Sequence, residues 1–146
     1  MYFWLIFLGA FLADQASKAF ILGTMTLNQS IPVFKGIFHI TYIKNPGAAF
    51  GIMANRTSVF IVISLLIIAA IIFFYHKQGI KKGIIPSSLG LIAGGALGNL
   101  VDRVRFGEVV DFFDFRVWPV FNIADSAIVV GAALLVLAFW RVESKN

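Results

Sequence analysis

Long apolar stretches, interrupted by few polar residues, follow one another along the chain. Four of them are candidate membrane-spanning helices, because a helix needs about 20 residues to cross the hydrocarbon core and roughly 17 can suffice. The second stretch carries no charged side chain, whereas the fourth is so short that its helix must begin at or before Asp125 to cross. The predicted spans are 2–22, 57–75, 84–101 and 124–140.

The first long connector, 23–56, has a different pattern. Its stretch "SIPVFKGIFHITYIKNPGAAFG" is rich in β-branched and aromatic residues and is broken at Lys35–Gly36. This pattern predicts a small hairpin with strands near Ile31–Phe34 and Ile37–Ile43. The "NPG" at 45–47 suits a turn with proline second and glycine third. We therefore expect an all-α membrane protein with four transmembrane helices and a small extracytoplasmic β element.

The composition agrees with a location in the membrane. Of 146 residues, 60% are hydrophobic and only 13% are charged, whereas an ordinary soluble domain is about a quarter charged. A chain of this length predicts a single domain, here an integral-membrane domain over 1–146. The first stretch lacks a basic start and carries Asp14, so we expect a retained span and not a cleaved secretory signal.

Basic residues predict the orientation. The short connector "HKQGIKKG" and the tail "RVESKN" are dense in Lys and Arg, while the basic residues on the other side are spread over 23–56 and 102–123. Density in short flanks favours the cytoplasm, so both termini are expected there and the two long connectors outside. The net charge of +5 is not concentrated in one cluster, which disfavours a nucleic-acid partner.

Two charges interrupt the first span. Asp14 and Lys18 are four residues apart and share a helix face. A charge inside a span costs roughly 2.5–3.5 kcal/mol on insertion scales, so it usually faces protein or water. Two arrangements remain open: Lys18 reaches the outer surface with Asp14 only pairing with it, or both side chains face the protein interior.

A stripe of small residues runs along the third span. Gly90, Gly94 and Gly98 recur at every fourth position and allow another helix to approach closely. Close packing here would bring Asn99 and Asp102, at the end of the stripe, near that helix.

The acidic residues are concentrated late in the chain. Five of seven fall between the third and fourth spans or at their ends: Asp102, Glu108, Asp111, Asp114 and Asp125. Two carboxyl groups held together share one proton and can activate water for attack on a peptide carbonyl. This aspartyl hydrolysis needs no thiol, and the chain has no Cys. Other interpretations remain open: Asp125 as a helix cap, and Asp111 and Asp114 as parts of a solvated loop.

Other chemistries fit less well. Ser17 and Lys18 are adjacent on a helix and point about 100° apart, so they do not form a Ser–Lys dyad. Without clustered His or Cys, zinc is not expected, although magnesium held by carboxylates stays open. A small ion or proton transporter would explain the charges in the first span, but no internal repeat is visible. A structural membrane subunit held by the glycine stripe is a third possibility.

Four motifs occur in order: "DQASK" at 14–18, "NPGAAFG" at 45–51, "GGALGNLVDRVRFGEVVDF" at 94–112 and "FNIADS" at 121–126. With them the chain closely resembles, over nearly its whole length, the lipoprotein signal peptidases (signal peptidase II), the membrane aspartic peptidases of bacteria. The resemblance implies cleavage of prolipoproteins before a diacylglyceryl-modified cysteine, without metal or cofactor. The substrate would enter from the membrane lipids, at the outer face of the bacterial cytoplasmic membrane. We expect a monomer.

The resemblance also implies roles for individual residues. The catalytic dyad falls on Asp111 and Asp125. The substrate-binding or supporting residues are Asp14, Lys18, Asn45, Gly47, Asn99, Asp102, Arg103 and Asn122. Among these, Asp102 is a rival acid that we expect to be structural, with Arg103 as its ion-pair partner. The nine residues between Asp111 and Phe121 are fewer than is usual in the family, a departure that concerns the outer flap and not the dyad.

Overall fold

Helices alternate with short strands in the computed structural model, which describes residues 2–47, 56–79 and 82–143. In chain order the elements are α1 Tyr2–Thr24, β1 Ser30–Phe34, β2 Phe38–Asn45, α2 Thr57–Gln78, α3 Ile84–Phe106, β3 Val109–Asp114 and α4 Ile123–Glu143. Each helix extends beyond the span predicted from the sequence.

All four helices are long and apolar enough, by length and composition, to cross a membrane. The chain is therefore a multi-pass membrane protein, and the predicted class of four transmembrane helices with a small β element is confirmed. The last helix begins at Ile123, before Asp125, as its short apolar stretch required.

The third helix is the centre of the bundle, and α1, α2 and α4 all pack against it. The close approach depends on its glycines. A Cβ added at Gly94 would collide with the backbone carbonyl of Phe7 in α1, and one at Gly95 with that of Ala124 in α4. The glycines of α3 therefore allow helices to pack closely on two sides, which brings polar side chains from α1, α3 and α4 together.

The strands form one antiparallel sheet in the order β1-β2-β3. The hairpin of β1 and β2 was predicted, and Gly36 in its turn has the left-handed backbone (φ +75°) that favours glycine. The third strand was not predicted, although "VVDFF" combines the β-branched and aromatic residues typical of strands. Asp111 lies opposite Ile43 in β2.

Burial of the third strand overturns one expectation. Asp111 is 1% exposed and Asp114 is 5% exposed, so the solvated-loop interpretation of these acids is wrong. The strand is buried because its apolar residues pack against the end of α1 and against β2, in a cluster formed by Ile21, Met25, Tyr42, Val110 and Phe112. This packing fixes Asp111 where the sheet meets the helix bundle.

Candidate active site

The fourth helix begins with a reciprocal pair of hydrogen bonds. The Asn122 side-chain oxygen Oδ1 accepts from the backbone N–H of Asp125 at 2.9 Å, and Asp125 Oδ2 accepts from the backbone N–H of Asn122 at 3.2 Å. This is a capping-box arrangement. The cap is therefore Asn122, and the interpretation of Asp125 as the capping residue is corrected. The box holds the Asp125 carboxyl at the positive end of the helix dipole.

Asn122 also binds the other predicted catalytic acid. Its Nδ2 donates to Asp111 Oδ1 at 2.7 Å, while Asn45 Nδ2 donates to Asp111 Oδ2 at 2.9 Å. Burial, reinforced by the nearby negative charge of Asp125, raises the pKa of Asp111 to about 7. The two carboxyl groups therefore interact within one site, bridged by the side chain and backbone of Asn122.

Asn99 connects this pair to the first helix. Its Nδ2 donates to Asp125 Oδ1 at 2.7 Å, and its Oδ1 accepts from Lys18 Nζ at 3.0 Å and from Asn122 Nδ2 at 3.1 Å. Because an ammonium can only donate, the contact with Lys18 fixes which end of the Asn99 amide faces Asp125. Asn99 therefore presents a donor to Asp125 and cannot present an acceptor.

Lys18 lies between two carboxylates deep in the protein. Its Nζ is 2.9 Å from Asp14 Oδ2 and 2.9 Å from Asp102 Oδ2, and the residue is only 2% exposed. With the bond to Asn99, all three ammonium hydrogens have an acceptor. Lys18 therefore does not reach the outer surface, and the alternative in which it faces the protein interior is confirmed.

The expected ion pair between Asp102 and Arg103 is wrong. Successive helical residues point about 100° apart, and Asp102 faces α1, where Lys18 and the Gln15 side-chain amide bind it. Arg103 instead donates through Nη2 to the backbone oxygen of Gly47 at 3.0 Å, with its guanidinium carbon 4.6 Å from the centre of the Phe60 ring.

The buried ion pairs also hold the backbone next to each predicted catalytic acid. Asp14 Oδ1 accepts from the backbone N–H of Ala124 at 2.9 Å, and Asp102 Oδ2 accepts from that of Val110 at 3.1 Å. Ala124 immediately precedes Asp125, and Val110 immediately precedes Asp111. The position of both acids is therefore tied to the cluster around Lys18.

The turn after β2 completes the site. Asn45 Oδ1 accepts from the backbone N–H of Gly47 at 3.0 Å, so that the Asn45 side chain bridges the turn and Asp111. Residues 48–51 of the "NPGAAFG" motif, which include the last position of the predicted turn, lie outside the described residues.

A cavity of about 370 Å³ opens over these groups. Six of the predicted site residues line it, namely Asn45, Gly47, Asn99, Arg103, Asp111 and Asp125. A wall segment that the sequence analysis did not identify, residues 118–121 with the sequence "WPVF", encloses one side together with Phe60, Val109 and Val129. Gln15, inside the "DQASK" motif, was also missed. Within the described ranges no group of three His, Cys, Asp or Glu side chains is arranged to hold a metal ion.

The fold and the site together define a multi-pass membrane protein with two interacting carboxyl groups in a cavity at one end of its bundle. Residues 6–141 match the family model described as "Signal peptidase (SPase) II". The chain therefore belongs to the signal peptidase II family and is a peptidase.

Known proteins of similar sequence and structure agree. The lipoprotein signal peptidase of Halothermothrix orenii is 49% identical over 140 residues, which cover 96% of each chain. That of Pelotomaculum thermopropionicum is 47% identical over 146 residues, covering 100% of this chain and 96% of the relative. A solved structure described as a "Bacterial membrane enzyme structure by the in meso method at 2.3 A resolution" has a TM-score of 0.91 at 35% identity, covering 97% of this chain and 89% of that one.

Replacing Lys18 with Met should destabilise the fold by about 3–5 kcal/mol, because Asp14 and Asp102 would be left buried without a counter-ion. The matched control is Lys44→Met, since Lys44 is exposed on β2 and its loss should change stability by less than about 0.5 kcal/mol. Denaturant unfolding in detergent micelles measures both. Equal stabilities for the two variants would show that the buried ion pairs do not stabilise the bundle.

Proposed function

We propose that this chain is an aspartic endopeptidase that removes signal peptides from prolipoproteins by cleaving before the diacylglyceryl-modified cysteine, with Asp111 and Asp125 as its catalytic dyad. The observation that carries the proposal is the pairing of the buried Asp111 carboxyl group with the half-buried Asp125 carboxyl group, bridged by Asn122, at the cavity. The names of the similar proteins support the substrate class. The dyad and its supporting side chains all belong to one chain, so a monomer is sufficient.

The environments of the two acids suggest how they divide the chemistry. Asp111 has a pKa raised to about 7 by burial and by the charge of Asp125, so it holds the shared proton. Asp125 is the other carboxyl group of the pair, and both of its oxygens accept hydrogen bonds, one from Asn99 and one from the backbone of Asn122. Asp125 is therefore the base and Asp111 the acid.

The reaction then follows in two steps. Asp125 removes a proton from a water molecule, the water oxygen bonds to the scissile carbonyl carbon, and Asp111 gives its proton to the carbonyl oxygen. In the second step the tetrahedral intermediate collapses: the C–N bond breaks, the proton held by Asp125 passes to the leaving nitrogen, and a hydroxyl proton returns to Asp111. The dyad thereby returns to its starting protonation state, with the proton on Asp111.

An apolar groove beside the dyad suits a lipid-bearing substrate. It has a volume of about 410 Å³ and is lined by Trp118, Phe121, Asp125, Ser126, Val129 and Val130. Val129 and Val130 lie on a face of α4 that the protein leaves exposed, where a membrane helix contacts lipid. A substrate anchored in the bilayer could therefore reach the dyad sideways. Asn45 and Arg103 line the cavity and are placed to bind the peptide backbone of the substrate.

The family assignment also bears on the rival functions. The family and the similar proteins are named as peptidases. Asp14 and Lys18, the charges that suggested a transporter, form a fully bonded structural cluster. These observations favour the peptidase over an ion transporter or a purely structural subunit.

Asp111→Asn and Asp125→Asn should each lower kcat on a lipidated precursor peptide by at least about 100-fold, since each removes a proton-transfer group. Glu108→Gln is the matched control: Glu108 is an acid near the start of β3 that does not line the cavity, and its loss should leave kcat unchanged. Purified variants are assayed in detergent with the same peptide. A rate near that of the parent protein from either Asp variant would rule out the dyad.

The pH profile of kcat/KM should be bell-shaped, with a descending limb near pH 7, because Asp111 must be protonated to donate and its pKa is raised to about 7. The hydrogen bond from Asn45 favours the ionised form of Asp111, so Asn45→Ala should move this limb to higher pH. Initial rates across the pH range measure both profiles. A descending limb that does not move in Asn45→Ala would contradict this role for Asp111.

We further propose that both termini face the cytoplasm and that the cavity faces outward, because Lys residues are dense in the short connector after α2. The chain has no Cys, so a single introduced Cys can be labelled selectively. On spheroplasts treated with a membrane-impermeant maleimide, Lys35→Cys should react, whereas His76→Cys should react only after the membrane is permeabilised. The reverse labelling pattern would overturn this orientation.

A further inference from the structure

A second cluster of polar side chains crosses the three strands of the sheet. Ser30 Oγ on β1 lies 3.1 Å from His39 Nδ1 and 2.7 Å from Thr41 Oγ1, both on β2. Thr41 Oγ1 donates to Asp114 Oδ2, at the end of β3, at 2.7 Å. Arg116 Nη1 donates to the same carboxylate oxygen at 3.0 Å. None of these residues lines the cavity.

The hydroxyl hydrogens in this series of hydrogen bonds can point in only one direction. Burial alone would raise the pKa of Asp114, but hydrogen bonds from Thr41 and Arg116 and the charge of Arg116 outweigh it and hold the pKa below its usual value. Asp114 is therefore an ionised acceptor. Thr41 donates its one hydroxyl hydrogen to Asp114, so it must accept from Ser30. Ser30 donates its hydroxyl hydrogen to Thr41, so it must accept from His39.

This order decides the tautomer of His39. Its Nδ1 must carry a hydrogen, which leaves Nε2 as a bare lone pair in the neutral ring. The environment of Nε2 agrees: the atom is buried and has no hydrogen-bonding partner among the described residues. A buried acceptor without a partner is less unfavourable than a buried N–H without one.

Asp114 uses its other oxygen to shape the chain beyond the sheet. Its Oδ1 accepts from the backbone N–H of Arg116 at 2.8 Å, a local side-chain turn of the kind Asp favours. Arg116 has a left-handed backbone (φ +66°), which is uncommon for a side chain of this type and needs outside support. The segment that starts here leads directly to the cavity wall at 118–121, whose far end is fixed by backbone bonds between Phe113 and Phe121.

We propose that Asp114 is a positioning residue for the peptidase site: held from β1 and β2 by the relay His39–Ser30–Thr41, it fixes the turn that places the wall segment 118–121 against the bound substrate. The inference rests on the proposed function, because the wall matters only if the cavity binds substrate. The relay itself is a property of the sheet alone.

The tautomer of His39 tests the relay. The relay requires the parent protein to carry the ring hydrogen on Nδ1, whereas hydrogen bonds running the other way, with Ser30 donating to Nδ1, would leave it on Nε2. Thr41→Ser keeps the hydroxyl and should keep the Nδ1–H form. ¹⁵N NMR of the neutral imidazoles distinguishes the two forms, and His76→Gln identifies the His39 signals, since the chain has two His.

Kinetics tests the positioning role. Asp114→Ala removes both hydrogen bonds to Arg116, and Thr41→Val removes the anchor of Asp114 while keeping the side-chain shape. Each should raise KM for a lipidated precursor peptide about threefold to tenfold, the range expected for one ordinary hydrogen bond. Because the dyad is untouched, kcat should stay within about twofold. Thr41→Ser should restore the KM of the parent protein.

The outcomes separate cleanly. A His39 that carries its hydrogen on Nε2 in the parent protein overturns the relay, and an unchanged KM in both Asp114→Ala and Thr41→Val overturns the positioning role. The NMR measurement uses no substrate, so its result stands whether or not Asp111 and Asp125 are the dyad. Failure of the proposed function would instead appear as normal turnover by Asp111→Asn or Asp125→Asn.

Discussion

The structure depends on the burial of one ammonium group. Lys18 lies inside the bundle with every hydrogen bonded, to Asp14, Asp102 and Asn99, and a buried charge is tolerated only when it is fully paired in this way. The same two carboxylates also accept from the backbone at the starts of β3 and α4, Asp102 through the oxygen that pairs with Lys18 and Asp14 through its other oxygen. The need to satisfy one cation therefore determines how α1, α3 and both acid-bearing elements fit together, and the glycines of α3 make the fit sterically possible.

The same network distinguishes the two acids at the cavity. Lys18 orients the Asn99 amide, which then donates to Asp125, whereas Asp111 is deeper, opposite Ile43 in a buried strand. Asn122 binds both carboxyl groups, one through its side chain and one through its backbone N–H. Two carboxyl groups in unequal surroundings share one proton unequally, which is the condition that acid–base hydrolysis requires.

Part of this arrangement was predictable from the sequence and part was not. Apolar length predicted the spans, and a run of β-branched and aromatic residues broken at Lys35–Gly36 predicted the β1–β2 hairpin, because these are local properties. The strand Val109–Asp114 was overlooked, since its two acids suggested a solvated loop and its burial comes from packing against α1 and β2. The ion-pair partner of Asp102 was also wrong: adjacency in the chain suggested Arg103, but adjacent helical residues point in different directions.

By itself the sequence determined the membrane location, the order of the motifs and the set of acids from which a dyad could be drawn. Only the tertiary structure decided how each acid is used. Asp102 is paired with a lysine on α1. Asp111 has no cation bonded to it among the described residues, and its burial, reinforced by the charge of Asp125, raises its pKa. The physical reason is that a carboxyl group responds to the charges within a few ångströms of it. The order of residues along the chain does not show which helices bring those charges close.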